Sequence, residues 1–247
     1  MGKLLGMQIS QLGIKLIATF CMLCYIISET VLGRGILHLE NYNNATLLEA
    51  MAGGSELMKV ATLAIFMKLL AGISLSIYAF LLAEGAEKTH NFRNYFLTIC
   101  VFAVVSEVPY DYAMSQTYWD FGSQNPMFGL VFGLILISAF RLIQTRKKNI
   151  CICIIVTIAA MLWCLILHIE FGAVCVALVA VYYQLRDSRG LACFLGFVLS
   201  IPYVTGIFAT YPIFCYSGRK GKNYNKYIFY FLFPIELAVC GLITARM

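Results

Sequence analysis

Apolar residues run almost unbroken through eight stretches of the chain, at 12–33, 60–82, 95–113, 126–143, 150–168, 170–185, 191–216 and 227–244. A helix needs about 20 apolar residues to cross the hydrocarbon core of a bilayer. The pattern therefore predicts an all-α fold, a polytopic integral membrane helical bundle of about eight hydrophobic segments. The whole chain, 1–247, reads as a single transmembrane domain. The segment 170–185 is short and needs tilt or partial crossing. The run 191–216 contains Pro202, Gly206 and Pro212. Proline breaks the helical ladder, so this segment is expected to be re-entrant or broken, the alternative being that all eight segments are full spans. No polar stretch with a small-residue cleavage site follows the first run, which reads as a retained span.

Charge sits between the runs and sets the orientation. Lys88 and Arg93 lie in 83–94, Arg141, Arg146, Lys147 and Lys148 in 141–149, and Arg186 and Arg189 in 186–190. The connections at 114–125 and around 169 carry no Lys or Arg. Cytoplasmic loops are enriched in these cations, which places the three basic connections and the N-terminus in the cytoplasm. The longest connection, 34–59, is then external, acidic through Glu40, Glu49 and Glu56, and turn-rich at Asn41, Asn43 and Asn44. The basic loop 217–226 falls outside under simple alternation, and returns to the cytoplasm only if 191–216 fails to cross.

Composition narrows the class further. With 61% hydrophobic and 12% charged residues and a mean hydropathy of +0.83, there is too little polar surface for a soluble protein. The net charge of +6 is spread over short loops without an aromatic–basic motif, so no nucleic-acid partner is expected, and lipid is. Most of the ten cysteines lie inside apolar runs, where cysteine acts as a small hydrophobe. His38, His90 and His168 are scattered, so no metal site is expected.

Ionisable residues near membrane depth are costly and need a cavity or a partner. His90 follows Glu84, Glu87 and Lys88 at the end of an apolar run, and its ordinary pKa suits a base or donor. Glu107 and Asp111 share a helix spacing of four, interrupted by Pro109, which is expected to kink or end the helix. Two carboxylates there could share a proton or grip a cation; pairing with an arginine is the simpler reading. Asn125 is placed to cap the next span. Glu170 and His168 could converge in a turn, and Glu236 lies inside the last apolar run, two residues after Pro234. Tyr216, Ser217, Gly218, Arg219, Lys220 and Gly221 combine glycines, a hydroxyl and two cations, a set suited to phosphate. The spacing is not that of a Walker motif.

These segments resemble the TraX family of bacterial membrane proteins over roughly residues 12–240. The resemblance rests on Phe80–Gly85, Ser106–Asp111, Gln124–Asn125 with Phe128, Glu170–Gly172, Tyr216–Gly221 and Tyr227–Pro234. It implies a multi-pass protein of the bacterial inner or plasma membrane. The activity it implies is transfer of an acetyl group from cytoplasmic acetyl-CoA to a peptide or protein amine or hydroxyl. On that resemblance the loop 217–226 would hold the phosphates of coenzyme A, with Glu107 and Glu236 as proton handlers and Asp111 orienting. The sequence departs from the family where an Asp-His pair is usual, at Tyr25 and Ile26, and where Tyr-Pro-x-His is usual, at Phe233–Glu236. Glu236, Glu107, His90 or His168 could replace the missing base, and Glu170 is a further catalytic candidate.

Two other function classes fit the residues. Membrane-depth carboxylates and broken helices suit an ion-coupled transporter, with Pro109 and Pro202 as weak markers. A non-catalytic membrane protein that binds a peptide through loop 34–59 fits the missing histidines. The acceptor and the oligomeric state are not encoded in any motif.

Overall fold

The computed structural model describes residues 8–39, 55–146, 149–219, 221, 225 and 227–247. It is an all-α bundle. In chain order the helices are α1 (Gln11–Ile27), continued by a π-helix (Ser28–Ile36), α2 (Ser55–Leu69), α3 (Ala71–Lys88), α4 (Phe92–Ser115), α5 (Met127–Arg146), α6 (Ile150–Ile166), α7 (Gly172–Gln184) and α8 (Arg189–Ser200). A 3-10 stretch (Ile201–Ala209), α9 (Thr210–Phe214) and α10 (Ile228–Thr244) complete the chain.

Local sequence explains the helix starts. Ser10 accepts from the Gly13 amide at 3.2 Å, Asn91 from Asn94 at 3.0 Å and Asn149 from Cys151 at 3.1 Å. Each satisfies an amide that the first turn leaves without a partner. The π-helix widens the end of α1 and carries Glu29, whose carboxylate meets Lys68 at 2.7 Å. Pro109 does not end its helix: α4 continues through it to Ser115. Ile154, Ile155, Ile158, Leu162 and Leu165 on α6 are exposed, as expected of a lipid-facing surface.

The segment after α8 bends back on itself. Tyr203 and Val204 leave helical geometry, with Val204 at φ 32°. The bend lies against the start of α3. Thr205 donates to the Leu69 carbonyl, and a Cβ on Gly72 would stand 2.7 Å from the Tyr203 carbonyl. Ser76 and Ser200 hydroxyls meet at 2.9 Å. The chain then returns to the end from which it came. Arg189, at the start of α8, donates to the Tyr216 carbonyl at 2.5 Å, and ahead of α1 Ile9 N–H donates to the Cys215 carbonyl while Ser217 N–H donates to the Ile9 carbonyl. The run 191–216 is long and apolar enough to cross, yet it forms a re-entrant hairpin. Residues 215–219 therefore share one face of the bundle with the start of α1, with Lys88, Arg93, Arg141, Arg186 and Arg189. This basic face is opposite the 116–126 and 167–171 connections. The expected outcome with an impermeant thiol reagent follows. In a Cys151→Ser background, Arg219→Cys is labelled from the same side as Arg93→Cys, and Thr117→Cys from the other. Most of loop 34–59 and Lys220 lie outside the described residues.

Candidate functional site

A cavity of about 700 Å³ runs through the bundle. Along α3 it touches Ala71, Ser74, Leu75, Tyr78, Leu81, Leu82, Gly85 and Lys88. These positions recur every three or four residues and form one face of the helix from end to end. Seventeen steps of 1.5 Å make that face about 25 Å long, close to the hydrocarbon thickness of roughly 30 Å. The opposing wall comes from Gln11, Lys15 and Met22 of α1, from Tyr95, Thr98 and Ile99 of α4, and from Phe229, Tyr230 and Phe233 of α10.

The two ends of the cavity differ in chemistry. At the basic face it is bounded by Gln11, Lys15, Lys88, Thr89, His90 and Asn225. The Lys15 ammonium lies 5.1 Å from the Phe229 ring centre. Lys88 pairs with Glu84 at 2.6 Å and sits 5.7 Å over Tyr216. At the far end the lining is Met22, Ala71, Pro126, Met127 and Phe171. Each of these neighbours a carboxylate cluster in sequence or in packing.

Three motifs that are far apart in the chain build that cluster. The Gln124 and Glu170 backbones pair, Gln124 N–H donating to His168 and Glu170 N–H to Gln124, both at 2.9 Å. This bridge seats the Glu170 carboxylate between two phenols. Tyr25 donates to Oε1, and Tyr110 donates to Oε2 at 2.8 Å. Ser123 lies 3.1 Å from the Tyr110 hydroxyl. Burial pushes the Glu170 carboxyl above the ordinary carboxylate range and the neighbouring Glu29 adds to this, while the two phenols and Lys68 work against it. Asn125 caps α5 by accepting from Met127 N–H at 2.9 Å, and its amide donates to Ala103 and to Glu107 Oε2. Glu107 Oε1 has no hydrogen-bond partner in the structure. Asp111 accepts from the Asp120 amide at 3.0 Å through one oxygen, and its other oxygen is likewise unpartnered.

The sequence candidates thus separate in space. Glu107, Asp111 and Glu170 lie at the far end. Glu107 is held by the side-chain and backbone amides of Asn125, and Asp111 by the backbone amide of Asp120, not by an arginine. His90 is exposed at the opposite, basic mouth. His168 does not converge with Glu170: it is exposed at φ 51°, and only its carbonyl contributes, to Gln124. Glu236 lies partly buried on α10, close enough to Tyr78 of α3 for their charges to interact. In the basic loop, Ser217 spends its hydroxyl on the Ile9 carbonyl at 3.0 Å, and Gln11 N–H donates to the Arg219 carbonyl at 2.8 Å. Gly218 and Gly221 adopt positive φ there. Residues 217–219 of this loop pack against the start of α1, while Asn225 of the same loop lines the cavity. No group of three metal-ligating residues occurs among the described residues.

Tyr25, Tyr110 and Asn125 are site-forming residues that periodicity does not single out. Asn125 is the most consequential for stability. Asn125→Ala removes a cap and the side-chain donor to the buried Glu107 carboxyl, leaving it only the Asn125 backbone amide at 3.3 Å, at a cost of about 2 kcal/mol. Thermal unfolding in detergent reads this, and Glu107→Gln, which retains an acceptor for Asn125, is expected to cost less.

A family model described as TraX protein matches residues 13–244. No curated protein and no solved structure matches the chain.

Proposed function

Because the chain belongs to the TraX family, we propose that it is a membrane-embedded acyltransferase moving an acetyl group from acetyl-CoA to an amine or hydroxyl of a peptide or protein. The observation that supports this reading is the cavity, which runs about 25 Å from a cationic mouth to Ala71, Pro126, Met127 and Phe171, residues that border the carboxylate cluster without the carboxylates themselves lining it. Positive-inside asymmetry puts the basic face in the cytoplasm, where acetyl-CoA is found. Lys15 and Lys88 attract the phosphates of the donor at the mouth. The narrow arm threads along α3 and carries the thioester inward to mid-depth of the cavity, with the Phe171 end beyond it.

The acceptor amine or hydroxyl attacks the thioester carbonyl carbon, whose π electrons move onto oxygen. Collapse of the tetrahedral intermediate breaks the C–S bond, and the acceptor's proton ends on the departing thiol. Glu170 takes that proton first. Its two oxygens offer about four lone-pair sites, so accepting one bond from each phenol leaves room for the acceptor's N–H or O–H. A carboxyl raised above its usual range is a better base near neutrality. Tyr25 and Tyr110 fix its orientation, as an orienting group fixes a catalytic base. Tyr25 stands at a position where the family usually carries Asp, so a phenol–carboxylate pair here takes the place of the expected Asp-His pair.

The test is binding of acetyl-CoA to the purified protein in detergent, followed by thiol release on addition of peptides with free amino termini. Saturable binding with peptide-dependent release supports the reading; a folded protein that binds no acetyl-CoA rules it out. A cavity spanning most of the hydrocarbon thickness, beside one broken hairpin, also suits ion-coupled transport. In that case uptake of a small solute into vesicles would occur without any acetylated product.

A further inference from the structure

Two hydroxyls lie one helical turn apart on the cavity face of α3, Ser74 and Tyr78. Ser74 is 1% exposed, and its Oγ has no hydrogen-bond partner in the structure. Serine inside a helix commonly bonds back to a carbonyl of the preceding turn; Ser74 does not. A buried hydroxyl left without a partner calls for an explanation such as a missing ligand. Rotation about one side-chain bond swings it among three staggered positions. The Tyr78 hydroxyl is 2.9 Å from Thr19 Oγ1. When Thr19 is the donor in that contact, the phenolic proton of Tyr78 is available to the cavity.

Position along the cavity says what these hydroxyls meet. Tyr78 is ten residues from Lys88, about 15 Å along the helix axis. The backbone of a phosphopantetheine arm equals about four extended residues, roughly 14 Å. With its phosphates at Lys88, the donor's thioester therefore arrives at Tyr78, with Ser74 one turn further in. One turn beyond lies Ala71, which packs in the same apolar cluster as Tyr25 and Tyr110, the two phenols that hold Glu170.

We infer that Ser74 and Tyr78 are the hydrogen-bond donors to the thioester carbonyl oxygen of the acyl donor, and stabilise the oxyanion that forms on attack. This rests on the acyl-transfer reading above. Thr19 is a positioning residue that acts through Tyr78. Donors fixed in advance at the place where charge develops, in a site shielded from water, stabilise the transition state more than the ground state.

The experiment is isotope-edited difference infrared spectroscopy of acetyl-CoA labelled with carbon-13 at the acetyl carbonyl, bound to the full chain in detergent. Wild type is expected to shift the carbonyl band to lower frequency on binding. Ser74→Ala with Tyr78→Phe is expected to abolish that shift while affinity for acetyl-CoA falls less than about ten-fold. Each single variant gives a partial loss, Ser74→Thr retains the shift, and Thr19→Val reduces it. An unshifted band in wild type, or the same shift in wild type and the double variant, overturns the assignment while leaving acetyl-CoA binding intact. A folded wild type that binds no acetyl-CoA overturns both this assignment and the reading beneath it. Tyr78→Phe, which removes a single oxygen, keeps the test decisive if the double variant does not fold.

Discussion

Glu170→Gln is expected to lower the rate of acyl transfer by about 10²- to 10⁴-fold while acetyl-CoA still binds. Glutamine keeps the volume and accepts one phenol through its carbonyl, but it cannot take a proton from the acceptor. The Tyr25 and Tyr110 hydroxyls that grip Glu170 hold either side chain in place, so the loss is chemical rather than structural. Stopped-flow thiol release gives the rate, and equilibrium binding of labelled acetyl-CoA gives the affinity. An effect confined to affinity would assign Glu170 to binding instead. The pH dependence carries a sign. Burial raises this carboxyl above its ordinary range, and a base must be ionised to act. The transfer rate therefore rises with pH through that raised value and levels off above it. Between the ordinary carboxylate value of about 4.3 and the raised one, the native state holds the extra proton. The contribution of Glu170 to stability accordingly falls as pH rises through that window. Tyr25→Phe and Tyr110→Phe each remove a hydrogen bond to the ionised form, so each moves the midpoint of the rate profile to higher pH.

Lys15→Glu combined with Lys88→Glu is expected to weaken acetyl-CoA binding by about 100-fold or more. Each cation contributes a charge-assisted hydrogen bond to phosphate, and each reversal puts a carboxylate beside the anionic donor. Both residues line the cavity mouth. Arg219 does not line the cavity, and the Arg219 backbone carbonyl is engaged by Gln11. Arg219→Glu is therefore expected to have the smaller effect. Isothermal titration at two salt concentrations separates the terms, because screening weakens an exposed attraction more than an enclosed one. Equal effects of the two sets of reversals would move the phosphate site from the cavity mouth onto the loop.

The spans were legible because apolar runs of about 20 residues have few alternatives to a membrane helix. The hairpin at 191–216 was legible from Pro202, Gly206 and Pro212, together with the cations on both sides of the run. The site was legible only in part. Glu107, Asp111 and Glu170 stood out because carboxylates in apolar surroundings need a reason, and they do lie at one end of the bundle. Tyr25 and Tyr110 were not assigned roles, because a phenol in a membrane helix is unremarkable until its partner is known. The partner, Glu170, is 145 residues from Tyr25. Pro109 misled in the opposite sense, since α4 tolerates it and runs on to Ser115. The polar row Ser74, Tyr78 and Lys88 has helical spacing and could have been read from the sequence as a polar stripe in an apolar helix. It was hidden by Ser76, which lies off that row and pairs with Ser200 instead.

The central claim is that the donor is used from the basic face and the acetyl group is delivered at the other. Its most direct test is a sealed proteoliposome in which accessibility of Arg93→Cys verifies a single orientation, with acetyl-CoA outside on the basic face and peptides with free amino termini enclosed. The expected result is acetylated peptide inside while the released thiol accumulates outside, with both lost in Glu170→Gln. Acetylation only when donor and peptide share one compartment would contradict it.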